Sequence, residues 1–289
     1  MSIIVIIGPT GVGKTKLSVE LAKKVNGEII NADSMQFYKG LDIGTAKIKE
    51  EEKNGVKHHL FDIKDPNDMY TIFDYQIDAR NCINDILGRG KTPILVGGSG
   101  LYIRAALYDY KLDFEDIKLD FSDLTNEELL NRCLSIDPKC NIHLNNRKRL
   151  ERFLNKSINN SEIVTNSKPI YDFIMIGLTT FRKNLYDIIN NRVDKMIEEG
   201  LIDEVKSFYD KGIRSKAIMT GIGYKELYSF FDKEITLEEA IELIKKNSRH
   251  LAKRQYTFFN NQFNDIKWFN TDYDNFSNTI NEVYDYIKE

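Results

Sequence analysis

Cysteine is scarce in this chain and poorly placed for any shared task. Cys82, Cys133 and Cys140 are the only three in 289 residues and form no close pair. Neither a disulfide framework nor a cysteine-built zinc site is therefore expected. Long apolar runs are missing as well. None approaches the ~20 residues needed to cross a bilayer, so no membrane partner is expected. The opening Ser2-Ile3-Ile4-Val5-Ile6-Ile7 lacks a basic flank and runs straight into Gly8-Pro9-Thr10. It reads as a buried strand rather than a signal peptide, and a cytoplasmic, monomeric protein is expected. No internal repeat or long low-complexity linker is visible. A strong net charge is also lacking: the formal value is −3, which by itself points to no nucleic-acid partner.

The distribution of charge says more than its sum. Residues 245–254 carry five Lys/Arg (Lys245, Lys246, Arg249, Lys253 and Arg254) and no acid. Arg147, Lys148, Arg149, Arg152 and Lys156 form a second cluster, interrupted only by Glu151. Such runs are either solvated helix faces or phosphate-binding patches. Screening limits each charge's reach to roughly 8–10 Å, so a protein acidic overall can still hold a nucleic acid on a local patch.

With 42% hydrophobic and 29% charged residues, the chain has the composition of a packed globular protein. Its first ~110 residues alternate strand and helix patterns. Ile3 to Ile7 is apolar throughout, and Thr15 to Val25 places Leu17, Leu21 and Val25 at helical spacing. Glu28 to Ala32 is a short strand ending at Asp33-Ser34. Tyr70 to Leu87 reads as a helix, and Pro93 to Val96 as a strand closing on Gly97-Gly98. This alternation predicts a parallel α/β sheet. The pattern then changes. Glu127 to Leu134 and Asn146 to Leu154 are helical, followed by a polar stretch from Asn155 to Ser167. A strand at Phe173 to Leu178, helices at Asn191 to Glu199 and Leu237 to Phe259, a strand at Asp265 to Phe269 and a helix at Phe276 to Ile287 complete the chain. The expected architecture is an α/β, P-loop NTPase-like parallel sheet core over residues 1–111 and 172–289. A mostly helical domain over 112–171 is inserted in it.

Gly8-Pro9-Thr10-Gly11-Val12-Gly13-Lys14-Thr15 fits the P-loop pattern of Gly, four residues, Gly-Lys-Ser/Thr. It follows a strand and opens a helix, the context the motif requires. Backbone N–H groups of such a loop turn inward around phosphate oxygens, and the helix N-terminus adds positive potential. Lys14 supplies a point charge, and the Thr15 hydroxyl is placed to ligate Mg²⁺. The loop names a phosphate binder, not a reaction, and many of its carriers bind ATP. A nucleotide triphosphatase usually adds an apolar strand ending in a metal-holding Asp. Here Ile94 to Val96 ends in Gly97-Gly98-Ser99-Gly100, which weakens that reading.

Three further segments, taken with the P-loop, resemble the tRNA dimethylallyltransferase family: Asn31 to Tyr38, Gly97 to Ala105 and Leu251 to Gln255. Supporting matches are Asp42 to Lys47, His58 to Asp62, Arg192 to Asp194 with Gly200-Leu201, and Gly221 to Glu226. They occur in the family's order along nearly the whole chain. The resemblance implies transfer of a dimethylallyl group from dimethylallyl diphosphate to N6 of the adenosine 3′ of the anticodon in tRNA. Gly8 to Thr15 would hold the diphosphate with Mg²⁺, and Arg104 would be a second cation on the leaving group. Asp33 would be the general base, because an adenine amino group must lose a proton on bonding to carbon. Ser34, Met35 and Gln36 would contact the extruded adenine and its neighbours, with Ser99 near the tRNA and Thr10 near the reacting groups. Lys148, Arg149 and Arg152, together with Lys253 and Arg254, would grip the anticodon stem-loop.

Some positions depart from the family pattern. Leu112 to Asp123 matches poorly, and the insertion is short and Asn-rich. Asn146-Arg147 stands where an Asp-Pro pair is usual, and Asn247 where a Thr is common. His58 and His59 lack a Cys/His set and are expected to be structural. A P-loop nucleoside or metabolite kinase would explain Lys14 and Thr15, but not Asp33 to Gln36. An isopentenyltransferase acting on free adenine nucleotide would not need the basic insertion. A non-catalytic RNA-binding module would not need Lys14, Thr15, Asp33 and Arg104 together.

Overall fold

The computed structural model describes residues 2–109, 119–158 and 168–288. Its strands are β1 (Ile3–Ile7), β2 (Gly27–Asn31), β3 (His58–His59), β4 (Thr92–Val96), β5 (Phe173–Thr179) and β6 (Ile266–Asn270). The helices through the first half are α1 (Lys14–Lys24), α2 (Ile72–Gly88), α3 (Gly100–Leu107), α4 (Asn126–Ile136) and α5 (Arg147–Ile158). Those of the second half are α6 (Arg182–Glu198), α7 (Leu201–Asp210), α8 (Lys216–Thr220), α9 (Tyr224–Phe231), α10 (Leu237–Gln262) and α11 (Phe276–Lys288). All six strands are parallel in the order β3-β2-β4-β1-β5-β6. The expected α/β class is what the structure has.

Central parallel strands are covered on both faces and so read as unbroken apolar runs rather than alternating ones. β1 meets this condition, with all five residues buried. Helix starts are marked by side chains that accept the orphan N–H groups of the first turn. Thr71 accepts from Asp74 N at 3.2 Å and Thr236 from Glu239 N at 3.2 Å, which fixes where α2 and α10 begin. The helix expected from Asn191 starts earlier, at Arg182, because Leu185 and Ile189 extend the buried stripe of Val193 backwards. The polar residues between them mask that stripe in the sequence.

The chain folds as two compact units, Met1–Leu107 with Pro169–Glu289, and Tyr108–Lys168. The sequence placed the corresponding edges at 112 and 171. In the smaller unit α4 and α5 close on Phe121, Leu129, Cys133, Leu150 and Leu154. Arg147 is structural there. It donates to the carbonyls of Leu124 at 2.7 Å and Phe121 at 2.6 Å, and pairs with Glu151. Residues 110–118 and 159–167 lie outside the described residues, and with them most of the poorly matching Leu112 to Asp123 segment and of the polar stretch Asn155 to Ser167.

In the larger unit, Glu28 near the start of β2 is only 2% exposed and gathers a cluster of nitrogen groups. Arg89 donates to both its oxygens, Lys91 Nζ lies 2.8 Å from Oε1, and His59 Nε2 lies 2.7 Å from Oε2. His59 thus belongs to this cluster, and no group of three potential ligands exists among the described residues. These partners hold the Glu28 carboxyl well below the usual carboxylate range, the Arg89 bond contributing most. Glu28→Ala would leave three donors around a buried gap. It should lower unfolding free energy by about 3 kcal/mol, the low end for a broken buried pair because Arg89 and Lys91 stay near solvent. A folded pKa below the unfolded one means this stabilisation is complete at neutral pH and is lost as pH falls below about 4.5. Urea midpoints of parent and variant should therefore converge in acid; a constant gap would refute the assignment.

Candidate active site

In an open parallel sheet, ligands bind outside the carboxyl ends of adjacent strands whose onward connections leave in opposite directions. β1 leads by α1 to β2 on one side. Its neighbour β4 leads through α3 and onward to β5 on the other. The crevice between them opens into a cavity of about 1090 Å³, lined by the P-loop, residues 33–36, residues 97–102, and parts of α6 and α10.

The P-loop joins β1 to α1, with Gly13 at φ +89° leading into the helix. A Cβ at Gly13 would also lie 2.5 Å from the Phe276 ring, so the position has neither the backbone freedom nor the space for a side chain. Two loop carbonyls are held from outside by the segment after β6. Thr271 Oγ1 donates to Val12 O at 3.0 Å, and Tyr273 OH to Gly11 O at 3.5 Å. Lys14 Nζ folds back onto Gly8 O at 2.9 Å and Pro9 O at 2.7 Å. Burial pulls Lys14 down to about 8, against the opposing pull of Asp33 and with a smaller push from Arg192. Arg192 Nη1 donates to Thr10 Oγ1 at 2.8 Å. Burial lowers its pKa too, and Asp33 again acts in the opposite sense.

Asp33 follows β2, and its backbone is set by a side-chain turn. Asp33 N donates to Asn31 Oδ1 at 2.8 Å, and Asp33 Oδ1 accepts from Met35 N at 3.1 Å. This Asx geometry satisfies the backbone where the strand ends. Ser99 faces it from β4's end: its Oγ accepts from Ser34 N at 3.3 Å, and its N donates to Ala32 O at 3.2 Å. The close approach explains why β4 ends in glycine and not in an acid. A Cβ at Gly97 would stand 2.1 Å from Ala32 O. Gln36 Nε2 donates to Thr45 O at 3.0 Å, so this amide group is engaged by the loop beside it.

The second cation expected at the diphosphate, Arg104, is elsewhere. Arg104 does not line the cavity; its Nη1 donates to Gln262 O at 3.1 Å and Gln262 Oε1 at 3.0 Å. Gln262 ends α10, where unpaired carbonyls and the helix dipole attract a cation. Arg104 is thus apart from the lining of this cavity, whereas Arg192 enters the lining bonded to the P-loop.

The comparisons with known proteins identify the family. A family model described as IPP transferase matches residues 36–262, and one described as isopentenyl transferase matches residues 1–65. A tRNA dimethylallyltransferase of Anoxybacillus flavithermus is 47% identical, covering 99% of this chain and 96% of its own length. The chain belongs to the tRNA dimethylallyltransferase family. A solved full-length tRNA isopentenylpyrophosphate transferase from Bacillus halodurans is 45% identical, with a TM-score of 0.77 over 99% of this chain and 95% of its own. A eukaryotic dimethylallyltransferase described as acting on tRNA is 29% identical with a TM-score of 0.81, over 99% of this chain and 79% of its own.

Within this family's fold, the structure brings Thr10, Lys14, Thr15, Asp33, Ser34, Met35, Gln36, Ser99 and Arg254 to one cavity. Lys253 is exposed on α10 next to Arg254. Lys148, Arg149 and Arg152 are exposed on α5 of the smaller unit. Arg192 on α6 and Gln255 on α10 are among the cavity residues to which the sequence reading gave no role. Both sat inside segments that carried the family resemblance, and a polar residue breaking an amphipathic helix was the only other sign. Among the described residues no helix is long and apolar enough to cross a membrane.

Proposed function

We propose that this chain transfers a dimethylallyl group from dimethylallyl diphosphate to N6 of the tRNA adenosine 3′ of the anticodon. The observation that carries this reading is the pairing of opposite charges across one cavity. Lys14 and Arg192 lie at the phosphate loop, and both feel the carboxylate of Asp33 at the next strand end. In the reaction, the N6 lone pair bonds to the allylic carbon as the carbon–oxygen bond breaks. Charge develops on the departing diphosphate, where Lys14, Arg192 and the loop amides stabilise it. The N6 proton passes to Asp33. Ile188, Ile189, Val193 and Met196 line the same cavity from α6 and supply an apolar side for the hydrocarbon. The target base is extruded from its loop, which costs a few kcal/mol. The exposed cations of α10 (Lys253, Arg254) and of α5 (Lys148, Arg149, Arg152) supply backbone contacts in return.

The donor set fits Mg²⁺. Thr15 lines the cavity at the start of α1 and carries a hydroxyl there, and Mg²⁺ favours one or two protein oxygens plus substrate phosphates over an all-protein cage. When bound, the ion neutralises charge on the diphosphate. The test is transfer of labelled dimethylallyl to unmodified tRNA with Mg²⁺ and without ATP, followed by digestion to nucleosides. Label on N6 of the adenosine beside the anticodon is the expected result. Transfer to AMP, or ATP hydrolysis with no RNA product, would refute the reading.

A further inference from the structure

A single side chain bridges the two halves of the cavity. Gln255 Oε1 accepts from Thr10 N at 3.1 Å, and Gln255 Nε2 donates to Gly98 O at 3.1 Å. Its amide thus joins the phosphate loop after β1 to the glycine turn after β4. The chain of bonds continues on both sides. Thr10 Oγ1 accepts from Arg192, whereas Ser99, next to Gly98, receives Ser34 N and donates to Ala32 O. Arg192 and Asp33 are therefore connected through Thr10, Gln255, Gly98 and Ser99 with no gap in the covalent or hydrogen-bonded path. Space is reserved for this contact: a Cβ at Gly98 would lie 2.2 Å from Gln255 Nε2.

We infer that Gln255 is a positioning residue, which sets the distance between the bound diphosphate and the segment that holds the acceptor base. This rests on the proposed reaction, because it assumes that the loop binds diphosphate and that Asp33 faces the acceptor. Both polar ends of the amide are needed. The carbonyl oxygen turns the Thr10 amide away from the anion and leaves the later loop amides to face it. The amino group fixes the turn that carries Ser99. Both ends are engaged by backbone groups, so the effect is on placement. Nonpolar replacement of the same length removes both bonds and keeps the volume. Net hydrogen-bond values of about 0.5–1.5 kcal/mol each correspond to roughly 5- to 100-fold for the pair.

The test compares Gln255→Met and Gln255→Glu with the parent full-length chain. Inorganic pyrophosphate with Mg²⁺ is titrated calorimetrically, tRNA affinity is measured by filter binding, and donor KM and kcat are measured separately. For Gln255→Met we expect pyrophosphate affinity to fall roughly 5- to 100-fold and kcat to fall with it, with tRNA affinity unchanged. Gln255→Glu keeps the bond to Thr10 but loses the donor to Gly98 and adds charge beside the anion, so its loss should be larger. It also serves if Gln255→Met fails to fold. Unchanged pyrophosphate affinity and kcat in either folded variant would overturn the inference. A loss confined to tRNA affinity would overturn it too, and make Gln255 a direct RNA contact. A parent that binds pyrophosphate but transfers nothing to tRNA would refute the proposed reaction alone, because the binding comparison still reads the role of Gln255.

Discussion

Replacing Asp33 by alanine should slow single-turnover transfer by about 10²–10⁴-fold, the usual worth of a positioned general base, while tRNA affinity is nearly kept. The split follows from the role. Proton transfer from N6 occurs as the new bond forms, so losing the acceptor removes an interaction made only in the transition state. Alanine also deletes the turn bond from Met35 N to Asp33 Oδ1, and a drop could arise from a displaced backbone instead. Asp33→Asn separates the two causes. Its oxygen can still accept from Met35 N, but it is not a base at neutral pH. Both variants should therefore be slow. Full activity in Asp33→Asn would remove Asp33 from proton transfer and leave it a turn residue.

Lys14→Ala and Arg192→Ala should each lower kcat/KM for the donor by about 10²–10³-fold, the scale seen when one preorganised donor to developing charge is lost. Arg104→Ala is the control. Its side chain serves the end of α10, so donor use should stay at the parent level. Donor use unchanged in Lys14→Ala and Arg192→Ala alike would mean that the diphosphate lies elsewhere. The pH dependence adds an independent check. Burial holds Lys14 at about 8, so the free enzyme loses this charge as pH rises through that value. Because kcat/KM reports the free enzyme, donor kcat/KM should fall above about pH 8. Lys14→Arg, which stays charged, should abolish that limb. A limb that survives in Lys14→Arg would belong to another group.

The parts of the site that were legible in the sequence are those whose geometry is local. The P-loop is eight successive residues, Gly8 to Thr15, between a strand and a helix, and its chemistry follows from backbone direction alone. Asp33 stands at a strand end in a segment short enough to read directly. Arg192 is 182 residues from Thr10, its partner, and only the packing of α6 against the P-loop brings them together. On α6 it is one polar residue among many. Arg104 shows another limit. The resemblance implied a role at the leaving group, but a helical residue serves whatever its face meets, and here that includes the end of α10. Gln255 needed both strand ends in view, because each half of its amide serves a different loop. Fold class was easier to read than site geometry, since apolar runs and helical spacing depend on burial and not on which distant groups meet.

The P-loop is held in part by residues that follow it by some 260 positions, Thr271 on Val12 and Tyr273 on Gly11. β1, which carries the loop, lies between β4 and β5. A nascent chain therefore carries the complete P-loop sequence long before Thr271 and Tyr273 are made to brace it. A fragment that ends before β6 would keep the P-loop sequence and lose both of these bonds to its carbonyls.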